Sequence, residues 1–145
     1  MLLINGPNLD LLGIREPEIY GSETLADIEA RVVALGVELG VEVECVQSNS
    51  EGDLINAVHR ARGMDGIVLN SAAYSHYSYA LRDAVTAAEV PCIEVHISNI
   101  HAREEFRHHS VVSAVATGVI CGLGAKGYEL ALEAMAEMLA SAQRG

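Results

Sequence analysis

Apolar positions along this chain switch repeatedly between two spacings. Met1–Asn5 is a short apolar run, too short for a helix and suited to a buried strand. From Thr24 to about Leu39, residues Leu25, Ile28, Val32, Leu35 and Leu39 recur at three- and four-residue steps, which predicts an amphipathic helix stopped by Gly40. Val41–Val46 alternates apolar with acidic residues, the pattern of a half-exposed edge strand. Ser50 with Asp53 resembles a capping box opening the next helix, which ends near Gly63. Gly66–Asn70 reads as a buried strand, roughly Ser75–Ala88 as a third helix, Cys92–Ile97 as a fourth strand, Ala116–Cys121 as a fifth, and Tyr128 to about Ala140 as a closing helix. The pattern has neither an internal repeat nor a low-complexity linker.

Five strands with intervening helices predict a parallel sheet covered on both faces. We expect one α/β domain over residues 1–145, a three-layer sandwich with the flavodoxin-like strand order 2-1-3-4-5. Such sheets bind ligands at the carboxyl ends of their strands, near the point where the strand order reverses. Strands 1, 3 and 4 lead into Asn5–Gly21, Asn70–His76 and His96–Arg107, which are also the segments richest in polar residues of catalytic type.

Charge narrows the function. The 145 residues carry a net charge of −11, from 20 acidic and 9 basic side chains. That balance repels phosphate backbones, argues against nucleic acid, and makes any cluster of arginines conspicuous. Cys45, Cys92 and Cys121 are widely spaced in apolar, strand-like runs, so we expect buried free thiols in a reducing cytoplasm. No apolar run reaches membrane-spanning length, and because the chain opens almost directly in its first strand we expect no leader.

The chemistry concentrates in residues 91–110, PCIEVHISNIHAREEFRHHS. Ile93, Val95 and Ile97 read as one face of a strand, and Glu94 and His96 share the other. A carboxylate beside an imidazole can fix its tautomer and hold it protonated, making a proton donor. Arg103 and Arg107 follow at helical spacing and could grip an anion. The long loop after strand 1 adds Asn8, Arg15 and Tyr20, and loops of that length are usually lids or binding loops. Taken singly, each of these residues has an ordinary alternative. Tyr20 could pack on the first helix, Arg15 could be a solvated charge, and His76 could cap the third helix. Asn5 and Asn8 could hold the Gly6-Pro7 corner, and Asp83 could be a plain surface charge. His101, His108 and His109 match no standard zinc spacing. Gly122-Leu-Gly124-Ala-Lys-Gly127 imitates a dinucleotide fingerprint but lacks the following strand with its acidic residue, so it reads as a tight strand-to-helix turn.

In order and at matching spacing, these motifs resemble the type II 3-dehydroquinate dehydratases over nearly the whole chain. The pieces are Asn-Gly-Pro-Asn (5–8), Arg-Glu-Pro-x-x-Tyr-Gly (15–21), Asn-x-x-x-x-x-His (70–76), and Glu-Val-His-Ile-Ser-Asn (94–99) followed by Arg-Glu-Glu-Phe-Arg (103–107). The resemblance implies a trans dehydration of 3-dehydroquinate to 3-dehydroshikimate, without cofactor or metal, in the shikimate pathway or in quinate catabolism. It implies Tyr20 as base, His96 as acid, and Glu94 as the group orienting His96. Arg15, helped by Arg103, would lower the pKa of Tyr20, and Asn8 would hold a water against the enolate oxygen. Asn70, His76, Arg107 and the backbone of Ile97 and Ser98 would bind the substrate's carboxylate and hydroxyls. Asp83 would reach the site of a neighbouring subunit in a dodecamer of four trimers.

The proposed base can be checked for size. A free tyrosine titrates near ~10, so lowering it by about two units takes roughly 2.7 kcal/mol. One guanidinium about 4 Å away supplies on the order of 4 kcal/mol at an effective dielectric of ~20, while burial opposes the anion. One arginine is therefore marginal, and a second makes the shift comfortable. The sequence departs from the resemblance at Tyr77, which stands beside His76 where relatives carry a small residue. It would either narrow the pocket rim or pack on a neighbouring subunit. A Schiff-base dehydratase is the main rival enzyme, and it needs a lysine at the site. The one lysine here, Lys126, lies in the glycine turn. A receiver or flavin carrier would need acidic strand ends or a phosphate loop. Asn5, Asn70 and His96 stand at those strand ends instead.

Overall fold

The alternating pattern folds into a parallel sheet of five strands: β1 (Leu2–Asn5), β2 (Glu44–Gln47), β3 (Ile67–Asn70), β4 (Cys92–His96) and β5 (Gly118–Cys121), in the order β2-β1-β3-β4-β5. The structure, a computed structural model, describes residues 1–145; the side chain of Tyr20 lies outside the described residues. The helices are α1 (Pro17–Tyr20), α2 (Leu25–Leu39), α3 (Glu51–Arg60), α4 (Tyr79–Ala88) and α5 (Lys126–Arg144).

Strand parity sorts the core into two layers. Leu3, Val68, Ile93 and Val95 face Ile28 and Val32 of α2 and Leu132 and Met135 of α5. Leu2, Ile4, Ile67 and Leu69 face Leu54 and Val58 of α3 and Leu81 and Val85 of α4. Each such side chain, fully buried, contributes about 1.5–3 kcal/mol. By the same parity Glu94 and His96 belong with Cys92 on the α3/α4 face, whereas Asn5 and Asn70 end their strands on the α2/α5 face.

The helix ends explain where the elements stop. Thr24 caps α2 in a full capping box with Asp27. Gly40, at φ 72°, closes it in a Schellman motif in which Val41 N–H donates to the Gly36 carbonyl at 2.8 Å. That bond uses Val41 for helix closure, so β2 begins at Glu44, opposite Leu2, rather than at Val41. Ser50 caps α3 through the Asp53 N–H, but Asp53 does not complete a box; its carboxylate accepts from the Ser48 hydroxyl instead. The third helix begins at Tyr79 rather than Ser75 because Ser78 is its N-cap, and Ala72–His76 forms a separate 3-10 turn. α5 starts two residues earlier and ends four later than its apolar pattern indicates, since no proline or internal glycine breaks residues 128–144. Of the thiols, Cys92 is buried as expected; Cys45 and Cys121 lie on the two edge strands and are only half-buried. Burial pushes the thiol pKa values up, to about 11 for Cys45 and about 12 for Cys92.

The chain leaving β1 runs hard against the chain leaving β3. Gly6 N–H donates to the Asn70 carbonyl at 2.8 Å, and a Cβ on Gly6 would lie 2.6 Å from the Ser71 carbonyl oxygen. Gly6→Ala is therefore expected to destabilise by about 1–3 kcal/mol through overpacking. Gly52, in the first turn of α3, has only ordinary contact around its Cβ position. Gly52→Ala is expected to stabilise by about 0.5 kcal/mol. Urea denaturation of both variants checks the pair, and equal effects would contradict the assignment of the close approach.

Candidate active site

The site is built outward from the end of β4. Glu94 is fully buried, and its carboxylate accepts from His96 Nε2 at 2.9 Å and from the hydroxyls of Ser110 and Ser113. Burial alone would raise the Glu94 pKa; the His96 ring and the two hydroxyls outweigh it and hold the carboxyl below its usual range. An ionised Glu94 can only accept, so His96 carries a hydrogen on Nε2. Nδ1 is then the ring nitrogen that can work on a ligand. This is the carboxylate–imidazole pair that the two-residue spacing implied.

His76 stacks on His96, with ring centroids 6.2 Å apart and planes inclined by 22°. Its Nδ1–H donates to the His109 carbonyl at 2.8 Å, and Val111 N–H donates to the Ser75 carbonyl at 2.7 Å. Those two bonds dock residues 109–111 on the Ala72–His76 turn, so His76 is not in the first turn of α4. Partial burial lowers the His76 pKa against the opposing His109 bond, and the neighbouring His96 and Arg107 charges lower it further. The neutral ring is therefore favoured.

Residues 100–107 form two 3-10 turns, Ile100–Ala102 and Glu105–Arg107, rather than the α-helix that would give Arg103 and Arg107 helical spacing. Asn99 opens the first turn by accepting from His101 N–H, and His108 Nε2 donates to the Arg103 carbonyl at 2.8 Å. The two arginines still converge. Glu104 lies between them, 3.7 Å from Arg103 Nε and 2.9 Å from Arg107 Nε. Arg15 contacts Glu16 at 3.2 Å. Glu16 and Glu104 are each partly exposed, so solvent screens these pairs.

The opposite wall holds a buried polar chain. Asn5 and Asn70 are register partners, and the Tyr128 hydroxyl joins them: it accepts from Asn70 Nδ2 and donates to Asn5 Oδ1, both at 2.7 Å. Asn70 Oδ1 accepts from Ala72 N–H at 3.1 Å. Asn8 adopts φ 66° and donates its backbone N–H to Asn49 Oδ1.

These walls enclose a cavity of about 220 Å³ at the carboxyl ends of β1, β3 and β4. Asn8, Arg15, Asn70, His76, His96, Ile97, Ser98, Arg103 and Arg107 all line it, with Leu9, Leu12 and Ile100 as apolar surface. Glu94 lies behind His96. Asp83 is exposed on α4 and does not line this cavity. Tyr20 ends α1, which starts beside Glu16 in a left-handed conformation (φ 43°); its side chain lies outside the described residues. Sequence reasoning missed Ser110, Ser113, Tyr128 and Glu104. Only Asn5 was in view, as a turn residue. The glycine motif also gains a role. Gly122, at φ 87°, packs on Asn99, and the N–H groups of Gly122 and Gly124 donate to the His96 and Ile97 carbonyls. Among the described residues no strand follows α5, and no group of three or more His, Cys, Asp or Glu side chains could hold a metal ion.

A donor-rich cavity with an apolar floor suits a small oxygen-rich anion. The sequence model described as "Dehydroquinase class II" matches residues 1–136. The chain belongs to the class II dehydroquinase family. Among its relatives, the 3-dehydroquinate dehydratase of Pelotomaculum thermopropionicum is 55% identical over 139 residues, covering 95% of this chain and 96% of that protein. That of Bacillus licheniformis is 58% identical over 133 residues, covering 91% and 92%. The crystal structure of type II dehydroquinase from Propionibacterium acnes superposes with a TM-score of 0.91 at 55% identity, covering 94% of this chain and 95% of that one. The five-stranded order of this dehydroquinase is thus the one expected from its sequence.

The two shifted groups give this dehydroquinase a defined acid response. His76 has an ordinary value of 6.5 and a lower one in the fold, so below about 6.5 the unfolded chain binds more protons and stability falls. Glu94 is also lowered, from 4.5; its contribution is present above about 4.5 and is lost as pH falls through the folded value. Denaturation free energies measured across this range should fall in two stages, and His76→Gln should remove the upper one. Persistence of the upper stage in that variant would contradict the assignment.

Proposed function

We propose that this class II dehydroquinase dehydrates 3-dehydroquinate to 3-dehydroshikimate as a single-domain hydro-lyase. The observation that carries the reading is the Glu94-held His96 ring lining the same cavity as Arg15, Arg103 and Arg107. Tyr20, as phenolate, takes the proton from the carbon beside the ketone, and the C–H electron pair moves into an enolate. Arg15 and Arg103 stabilise the phenolate by charge, and Asn8 holds a water against the enolate oxygen. The enolate then re-forms the ketone, the adjacent C–O bond breaks, and His96 delivers its proton to the departing hydroxyl as water. Oriented donors that need no rearrangement stabilise such a short-lived anion best. His76, Asn70, Arg107 and the backbone of Ile97 and Ser98 hold the substrate's carboxylate and hydroxyls. The acid and base are both protein groups, so the reaction uses no cofactor.

The working form is a dodecamer of four trimers, in which Asp83 reaches a neighbouring subunit's site. Its exposure on α4, beside exposed Tyr77 and Tyr79, supports that placement. Tyr77 then packs at the subunit contact rather than in its own cavity, which it does not line. The reaction runs in the cytoplasm, in aromatic amino acid biosynthesis or quinate breakdown. The three free thiols support that compartment, and no described helix is long and apolar enough to cross a membrane.

Mixing the protein with 3-dehydroquinate should raise ultraviolet absorbance as the product enone forms. Tyr20→Phe and His96→Ala should each lower kcat by about 10²–10⁴-fold with the fold intact. A Tyr20→Phe protein with near-normal turnover would remove Tyr20 from the base role. Borohydride with substrate should leave the protein active, because Lys126 stands at the start of α5 beside Glu129 and not in the cavity. Sedimentation should give about 185 kDa, twelve times the 15.4 kDa chain. A purely monomeric, fully active protein would contradict the shared-site role of Asp83.

A further inference from the structure

Tyr128 is fully buried on the α2/α5 face, where phenylalanine would fill the same space without a polar atom to satisfy. Its hydroxyl has a single hydrogen, and the surrounding groups decide where it goes. Glu29 Oε1 accepts from Asn5 Nδ2 at 3.3 Å, which turns Asn5 Oδ1 toward Tyr128. The phenol must therefore donate to Asn5, and it can only accept from its other partner. That partner is Asn70, which presents Nδ2 to the phenol and Oδ1 to Ala72 N–H. Direction thus passes from Glu29 on α2, through Asn5 and Tyr128, to a residue that lines the cavity.

We propose that Tyr128 is a positioning residue that locks the Asn70 amide with an N–H, not a carbonyl, toward the bound substrate. An amide nitrogen carries two hydrogens. One is taken by Tyr128, and among the described residues the second meets no acceptor. The group it recognises must be an acceptor: a hydroxyl, carbonyl or carboxylate oxygen. A carbonyl pointing the same way would repel an anionic substrate, so the orientation sets specificity as well as affinity. The kinetic part of this inference rests on the dehydration reading; the orientation of Asn70 does not.

The test is Tyr128→Phe, read by kinetics and by nitrogen-15 NMR of the Asn70 side-chain amide. KM for 3-dehydroquinate should rise about 3- to 10-fold, with a smaller change in kcat, as expected when ground-state and transition-state binding are lost alike. In an Asn70→Ala background the same substitution should change KM no further. The Asn70 amide signals should shift and exchange faster with solvent. A lower melting temperature with unchanged KM and unchanged Asn70 signals would make the hydroxyl merely structural and overturn the inference, as would multiplicative effects in the double variant. Should Tyr128→Phe not fold, Asn5→Leu removes the acceptor that directs the phenol and must move the same signals; unchanged signals there also overturn it. If the wild-type protein does not turn over 3-dehydroquinate, the dehydration reading fails, while the NMR result still decides the orientation of Asn70.

Discussion

A carboxylate buried on β4 of a parallel sheet is the constraint on which the rest of this structure turns. Glu94 has no exposed surface, and leaving its charge unpaired there would cost several kcal/mol. Three donors answer it: His96 from its own strand, and Ser110 and Ser113 from the segment entering β5. Satisfying the charge therefore fixes more than one side chain. It sets the His96 tautomer and draws residues 110–113 down onto the sheet. That in turn brings the His109 carbonyl to His76. The imidazole pair lining the cavity is a consequence of where one acid is buried.

The second organising fact is that the two polar clusters enter the cavity from opposite faces of the sheet. Odd and even positions on parallel strands point to opposite layers, so His96 arrives with the α3/α4 layer and Asn70 with the α2/α5 layer. They meet only where the strands end, at the reversal of strand order between β1 and β3. Gly6 allows the two exit loops to touch there. In a chain of net charge −11, three arginines gathered around that point form a local positive field able to draw in a small anion.

Much of this was legible in the sequence because it depends on short-range periodicity. The two-residue spacing of Glu94 and His96 forces a shared face, and the three- and four-residue steps in α2 force an amphipathic helix. Element ends were less legible wherever a side chain or backbone group is diverted. Val41 is spent closing α2, and Ser78 rather than Ser75 caps α4. Arg103 and Arg107 converge from the link after one 3-10 turn and from the end of the next, not from a helix face, because Asn99 and His108 tie the local backbone. Ser110, Ser113 and Tyr128 were invisible for a different reason. Their partners lie 16, 19 and 58 residues away, in Glu94 and Asn70, and no local pattern encodes such a contact. A serine after a histidine, a serine before an alanine and a tyrosine after a glycine carry no sign of what they will meet.

The central claim is that Glu94 holds His96 with its hydrogen on Nε2 and its Nδ1 facing the cavity. Nitrogen-15 NMR of the His96 ring reads this directly. In the neutral ring the hydrogen should sit on Nε2 and Nδ1 should be bare, and Glu94→Gln should abolish that preference. A wild-type ring protonated on Nδ1, with Nε2 bare against Glu94, would contradict the account.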